Sequence, residues 1–71
     1  MTNRVSDRES GYRFRRFCKE RGLTAKAVAE LTGLSKNTIW QYFQGTRYPS
    51  RFTKALLSEK LGYNMEEIFR D

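Results

Sequence analysis

Apolar side chains recur at helical spacing along the chain, and glycines and capping residues divide this pattern into segments. In the first segment they fall at i, i+3 and i+4 while charged residues fill the other faces: Phe14, Phe17 and Cys18. This spacing predicts a helix over residues 12–21 that ends at Gly22. Gly11 disfavours an earlier start because glycine lowers helix propensity.

The next two segments are short and lie close together. Thr24 is suited to cap a helix over residues 25–32, whose expected inward side chains are Val28, Ala29 and Leu31. Gly33 permits a sharp turn, and Ser35 is suited to cap a further helix over residues 36–43, whose expected inward side chains are Ile39 and Tyr42. Two short helices joined by a three-residue turn that contains glycine predict a helix-turn-helix.

Two further helices are predicted in the remaining third of the chain. Ser50 is suited to cap a helix that ends at Gly62 and turns four side chains inward: Phe52, Leu56, Leu57 and Leu61. Asn64 and Glu67 have capping spacing for a short fifth helix that carries Ile68 and Phe69. No strand-like alternation occurs, so we expect an all-α, compact five-helix domain over residues 9–71, preceded by a flexible N-terminal arm over residues 1–8.

The charge of the 71-residue chain is basic and uneven. The formal net charge is +6, and the three stretches 1–22, 23–54 and 55–71 carry seven, five and two Lys or Arg against three, one and four acids. Lys and Arg gathered on one face release condensed counterions when they neutralise phosphates, so this distribution suits a nucleic-acid partner. A solvated surface explains the same composition equally well.

Several functional classes are disfavoured by what the sequence lacks. Cys18 is the single cysteine and histidine is absent, so the usual zinc spacings and a catalytic Cys–His pair are missing. No glycine-rich phosphate loop is present, and we expect neither an enzyme, a cofactor nor a small-molecule ligand. Apolar runs are far shorter than the roughly 20 residues that span a bilayer, so no membrane association and a cytoplasmic location are expected.

One long segment, ERGLTAKAVAELTGLSKNTIWQYFQGTRYPS, resembles the lambda-repressor-like (Cro/CI, or XRE) helix-turn-helix family. The resemblance extends more loosely over residues 11–69. It implies a lambda-repressor-like DNA-binding domain that binds double-stranded DNA as a homodimer on a palindromic operator, with half-sites one turn apart, roughly 34 Å.

The resemblance also implies which residues meet DNA. The second motif helix would enter the major groove and read base edges through Lys36, Asn37, Thr38 and Gln41, side chains that suit guanine, adenine and thymine edges. Phosphate contacts would come from flanking positions: Thr24, Lys26, Ser35, Gln44, Thr46, Arg47, Tyr48 and Arg51. An ordinary solvent-exposed polar face is the alternative for each of these residues.

The chain departs from the family at several positions. Ala25 replaces the glutamine that often begins the second helix, and Lys54 replaces an aliphatic residue of the fourth. The family's Arg–Glu pair between the first and third helices is replaced by Cys18 and Phe43, for which we expect an apolar contact. Trp40 has two open interpretations: packing against the fourth helix, or contact with DNA or a second subunit.

A sequence-specific regulator of transcription, such as a Cro-like repressor or a mobile-element regulator, is therefore the leading functional hypothesis. An architectural DNA-binding factor in recombination and a protein-interaction or antitoxin-type module with exposed aromatic residues are the alternatives. A third alternative places the arginine-rich first helix on anionic lipid through Phe14 and Phe17.

Overall fold

The computed structural model describes residues 8–70, which fold into α-helices joined by short turns. Four α-helices are present in this range, followed by one 3₁₀ turn: α1 (Arg8–Glu20), α2 (Ala25–Thr32), α3 (Lys36–Gln44), α4 (Arg51–Leu61) and the turn Met65–Glu67. The same residues form no strand. The all-α prediction is confirmed, but the prediction of a fifth α-helix is wrong, since a single 3₁₀ turn takes its place.

Side-chain hydrogen bonds hold the 3₁₀ turn and the residues that follow it. Asn64 caps it, with Oδ1 accepting a hydrogen bond from the Glu66 backbone N–H at 3.0 Å. Beyond it, the Ile68 carbonyl accepts from Arg13 Nε at 2.9 Å, and the Phe69 carbonyl accepts from the Tyr48 hydroxyl at 2.5 Å. These two bonds hold the residues after the turn against α1 and the loop that precedes α4.

Each of the three later helices begins at the predicted cap. The hydroxyls of Thr24, Ser35 and Ser50 accept hydrogen bonds from the backbone N–H three residues further on, at 3.1, 3.0 and 3.2 Å. A side-chain acceptor at this position satisfies one of the free donors of the first helical turn. The predicted bounds of α2 and α4 are confirmed, and α3 extends one residue beyond its prediction.

Helix α1 begins earlier than the sequence pattern predicts. It starts at Arg8 and passes through Gly11, which is buried against the end of α3. A Cβ atom at Gly11 would lie 2.5 Å from the Tyr42 carbonyl oxygen and 2.7 Å from the Gly45 nitrogen. The glycine therefore permits close contact between the two helices, and this contact outweighs its helix-propensity cost of about 1 kcal/mol. Of the predicted arm, only Arg8 lies within the described residues, and it is helical.

Aromatic rings in the core join α1, α3 and the C-terminal residues. The Phe14 ring is fully buried, and its centroid lies 5.3 Å from that of Phe43 and 5.2 Å from that of Phe69. Cys18 is buried in the same core as Phe43, so both positions of the family's ion pair are apolar here. Direct contact between these two side chains stays a prediction.

Two expected inward residues point to solvent instead. Leu31 is 49% exposed and Phe52 is 80% exposed. In α2 the buried position goes to Thr32, whose hydroxyl donates to the Val28 carbonyl at 2.8 Å. In α4 the inward stripe follows Lys54, Leu57 and Leu61, and Phe52 lies outside this stripe.

Candidate nucleic-acid interface

Helix α3 presents one buried face and one open face. Ile39 and Tyr42 lie in the core, whereas Lys36 and Asn37 are exposed and Gln41 is partly exposed. Gly33 adopts a positive φ of 80°, and this left-handed conformation lets the chain reverse between α2 and α3. The predicted recognition helix is therefore anchored on one side only, with three of its four candidate base readers on the other.

The first turn of α3 is fixed by two hydroxyl groups. Ser35 Oγ accepts from the Thr38 backbone N–H at 3.0 Å and also shares a hydrogen bond with Thr38 Oγ1 at 2.8 Å. Both side chains therefore stabilise the start of the helix. Of the pair, Ser35 is exposed and Thr38 is partly buried.

The loop after α3 orients Gln41. Arg47 Nη1 donates to Gln41 Oε1 at 3.4 Å, and Thr46 Oγ1 donates to the Gln41 backbone carbonyl at 3.3 Å. Arg47 thereby holds the acceptor oxygen of the Gln41 amide, and the N–H donors of that amide take no part in this bond. Two residues predicted as phosphate contacts thus also support a predicted base reader.

Most of the other predicted phosphate contacts are exposed to solvent. They are Thr24, Lys26, Gln44 and Arg51. Tyr48 differs, because it is partly buried and its hydroxyl proton is used in the bond to the Phe69 carbonyl. We therefore do not retain Tyr48 as a phosphate contact in the function proposed below.

The C-terminal residues are held against the helices by a set of contacts that the sequence pattern does not predict. Besides the bonds to Ile68 and Phe69, Lys54 Nζ lies 3.2 Å from Glu66 Oε1 and 5.4 Å from the centre of the Tyr48 ring. We call these contacts of Arg13, Tyr48 and Lys54 the C-terminal clasp. They explain why α4 has a lysine where the family has an aliphatic residue. Their partners are separated by 12 to 55 positions, so no local spacing reveals them.

Trp40 faces α1 and not α4. It is 42% exposed, its ring meets Phe43 edge-on at 5.6 Å, and the Arg15 guanidinium lies 5.9 Å from its centre. Of the two interpretations left open by the sequence, packing of Trp40 against α4 is therefore wrong. Its ring borders a groove of about 600 Å³ that α1, the start of α2 and α3 enclose.

Comparison with known proteins agrees with this geometry. The family model described as a helix-turn-helix domain matches residues 9–65. The chain belongs to the helix-turn-helix domain family. No curated protein matches the chain at a significant level.

One solved structure is similar to this chain over most of its length. The restriction-modification controller protein C.AhdI from Aeromonas hydrophila is similar to this helix-turn-helix protein with a TM-score of 0.79 and 26% sequence identity. The match covers 87% of this chain and 94% of the controller protein. Together with the family match, it confirms the resemblance to the lambda-repressor-like family.

The structure also bears on the alternative classes. Phe14 is buried, and Phe17 packs against Tyr63 with ring centroids 5.0 Å apart while the Arg21 guanidinium covers Phe17 at 4.4 Å. The apolar face needed for lipid binding by α1 is therefore used within this helix-turn-helix domain. No helix in residues 8–70 is long and apolar enough to cross a membrane. The same residues contain no cluster of three or more metal-ligating side chains.

Proposed function

We propose that this protein binds double-stranded DNA sequence-specifically by inserting α3 into the major groove. The observation that carries the proposal is the two-sided construction of α3. One side is buried through Ile39 and Tyr42, and the opposite side presents Lys36, Asn37 and Gln41. In this proposal Lys36 donates to guanine, and Asn37 and Gln41 pair with adenine. Thr38 meets a thymine methyl group beside them.

Phosphate contacts flank these base contacts. Their proposed donors are Thr24, Lys26, Ser35, Gln44, Arg47 and Arg51. Thr46 is left out for the same reason as Tyr48, because its hydroxyl and its backbone N–H both donate to the Gln41 carbonyl. Contacts of this kind fix the register of the protein on the duplex and carry no sequence information directly. The bond between Arg47 and Gln41 supports a linked arrangement, in which one side chain contacts the backbone and also orients a base reader.

Regulation of transcription is the role that the comparisons favour. The similar structure is that of a restriction-modification controller protein, and the match spans nearly its whole length. This similarity supports a small transcriptional regulator in preference to an architectural factor in recombination or an antitoxin-type module. A repressor on a palindromic operator is the form that we propose.

The proposed operator symmetry requires two copies of the chain. Phe52, on α4 and directly after Arg51, is the most exposed of the large apolar side chains described, and we propose that it packs against the second copy. Sedimentation equilibrium should give twice the monomer mass, either free or on the selected duplex. A single chain on a non-palindromic site would contradict the homodimer.

The test of DNA binding begins with selection of bound sequences from random duplexes. Fluorescence anisotropy on the selected duplex then compares Gln41→Ala with Arg51→Gln. The loss of a base reader should cost about 1–3 kcal/mol and relax the preference at single base pairs. The loss of a phosphate contact should weaken all duplexes and reduce the salt slope by about one per chain.

Lys60→Gln is the matched control, because Lys60 is exposed in the last turn of α4, away from the start of that helix. It should leave both affinity and base preference nearly unchanged. If the wild-type protein prefers no duplex over random DNA, sequence-specific binding is wrong.

A further inference from the structure

The groove between α1 and Trp40 is basic and carries no opposing acid. Its charged lining residues are Arg15, Arg16 and Lys19, and no carboxylate lines it. Arg16 lies 3.2 Å from Glu20, whereas Arg15 and Lys19 form no ion pair within residues 8–70. A cleft lined by charges of one sign concentrates the field of those charges and attracts a polyanion. We call this feature the α1–α3 groove.

The same groove has a flat apolar surface. Trp40 and Tyr12 both line it, and they are 42% and 65% exposed. Lysine and arginine beside an exposed aromatic ring match the alternation of phosphate and sugar along a nucleic-acid strand, since the cations take the phosphates and the ring packs on the sugar. A purely electrostatic surface would not need the tryptophan.

The groove is continuous with the proposed DNA interface. Thr24, a proposed phosphate contact, lines the groove at the start of α2. Trp40 directly precedes Gln41 on α3. A strand that follows the phosphate contacts at Thr24 would therefore pass into the groove without leaving the protein surface.

We propose that the α1–α3 groove binds the DNA sugar–phosphate backbone beside the base pairs that α3 reads. Arg15 and Lys19 neutralise phosphates there, and Trp40 packs against deoxyribose. The inference rests on the proposed function, since it adds α1 to the DNA interface of the helix-turn-helix. It assigns α1 a contribution to affinity that is independent of base sequence.

The test compares two charge-matched double variants on the selected duplex. Arg15→Gln with Lys19→Gln removes two groove charges, and Lys60→Gln with Arg70→Gln removes two exposed charges that do not line the groove. The groove variant should bind about 10- to 30-fold more weakly near 0.15 M salt and lower the salt slope by about two per chain, because each neutralised phosphate contributes about 0.9 to it. Its base preference should be unchanged. Circular dichroism should give native helix content for both variants.

Two further measurements locate the contact. Hydroxyl-radical footprinting should show protected deoxyriboses that are lost with the groove variant and kept with the control. Trp40 is the single tryptophan, so its fluorescence reports on the groove directly. Bound duplex should shield Trp40 from acrylamide in the wild-type protein and less so in the groove variant.

The outcomes separate this inference from the proposed function. If both variants bind the selected duplex with the same affinity, salt slope and footprint, the groove does not contact DNA and the inference is overturned while the function stands. An acidic protein as the occupant would give this result. If the wild-type protein selects no duplex, the proposed function fails and the inference fails with it.

Discussion

The two sides of α3 are stabilised in different ways. On the inner side, the backbone of α1 at Gly11 lies against the end of α3, and aromatic rings from three parts of the chain meet around Phe14. On the outer side, the side chains of Ser35, Gln41 and Arg47 are held by hydrogen bonds to residues at most six positions away. The inner side therefore depends on tertiary packing, and the outer side depends on local contacts.

This difference separates stability from recognition. Close-packed interiors respond to the loss of even small groups, whereas exposed polar side chains contribute little to the free energy of unfolding. Substitutions on the inner side should lower stability. On the outer side, substitutions of the solvent-facing side chains Lys36, Asn37 and Gln41 should change DNA binding with little effect on folding. Loss of the capping hydroxyl of Ser35 should affect both.

The largest expected effect comes from the centre of the inner side. Phe14→Ala should lower the free energy of unfolding by about 3–5 kcal/mol, because the ring is fully buried and its removal leaves a cavity. Phe52→Ala makes the same chemical change on an exposed ring, so it should cost less than about 0.5 kcal/mol for the monomer. Urea unfolding of both variants measures the difference. Similar losses for the two would contradict the assigned core.

Gly11→Ala tests the close contact between α1 and α3. Helix propensity alone predicts a gain of about 1 kcal/mol for this change. The new Cβ would lie 2.5 Å from the Tyr42 carbonyl oxygen, so we expect a loss of about 1–3 kcal/mol instead. Thermal unfolding gives the sign directly. A more stable variant would show that α1 and α3 are further apart than described.

Local signals explain why much of the fold was predictable from the sequence. Thr24, Ser35 and Ser50 each act on a backbone N–H three residues away, and Gly33 determines its own turn. These interactions are complete within a few residues of sequence. The caps, the bounds of α2 and α4 and the helix-turn-helix could therefore be predicted from one sequence.

Long-range contacts explain the predictions that failed. The role of Gly11 depends on residues more than 30 positions away, and the position of the residues after the 3₁₀ turn depends on Arg13 and Tyr48. The outward position of Phe52 follows from the register of α4, which Leu57 and the clasp residue Lys54 determine. In the candidate site, the sequence alone does not distinguish the charged residues of the α1–α3 groove from ordinary surface residues. Their position beside Trp40 follows only from the packing of α1 against α3.

Ser35→Ala tests the outer side of α3. The Ser35 hydroxyl holds both the backbone N–H and the hydroxyl of Thr38, so its loss should cost about 1–2 kcal/mol of stability. Ser50→Ala is the matched control, because Ser50 caps α4 with the same pair of bonds to Thr53. Calorimetry should give similar losses for both. Anisotropy at a temperature where both variants are folded should show weaker DNA binding and a relaxed base preference for Ser35→Ala. An unchanged base preference would show that the first turn of α3 does not position its readers.

The smallest expected effect concerns Cys18, on the inner side. Burial raises the pKa of its thiol from 9.0 to about 12, so the folded protein keeps the proton above pH 9 while the unfolded chain releases it. The unfolded state then binds fewer protons, and stability falls as pH rises from 9 towards 12. Between pH 9 and 10 this loss should be about 1 kcal/mol, and it should be absent in Cys18→Ala, which serves as the reference for all other titrating groups. Urea titrations should therefore show that the stability difference between the wild-type protein and Cys18→Ala shrinks from pH 9 to pH 10. A constant difference would mean that the thiol is solvated and that the inner side is less tightly packed than the burial of Cys18 indicates.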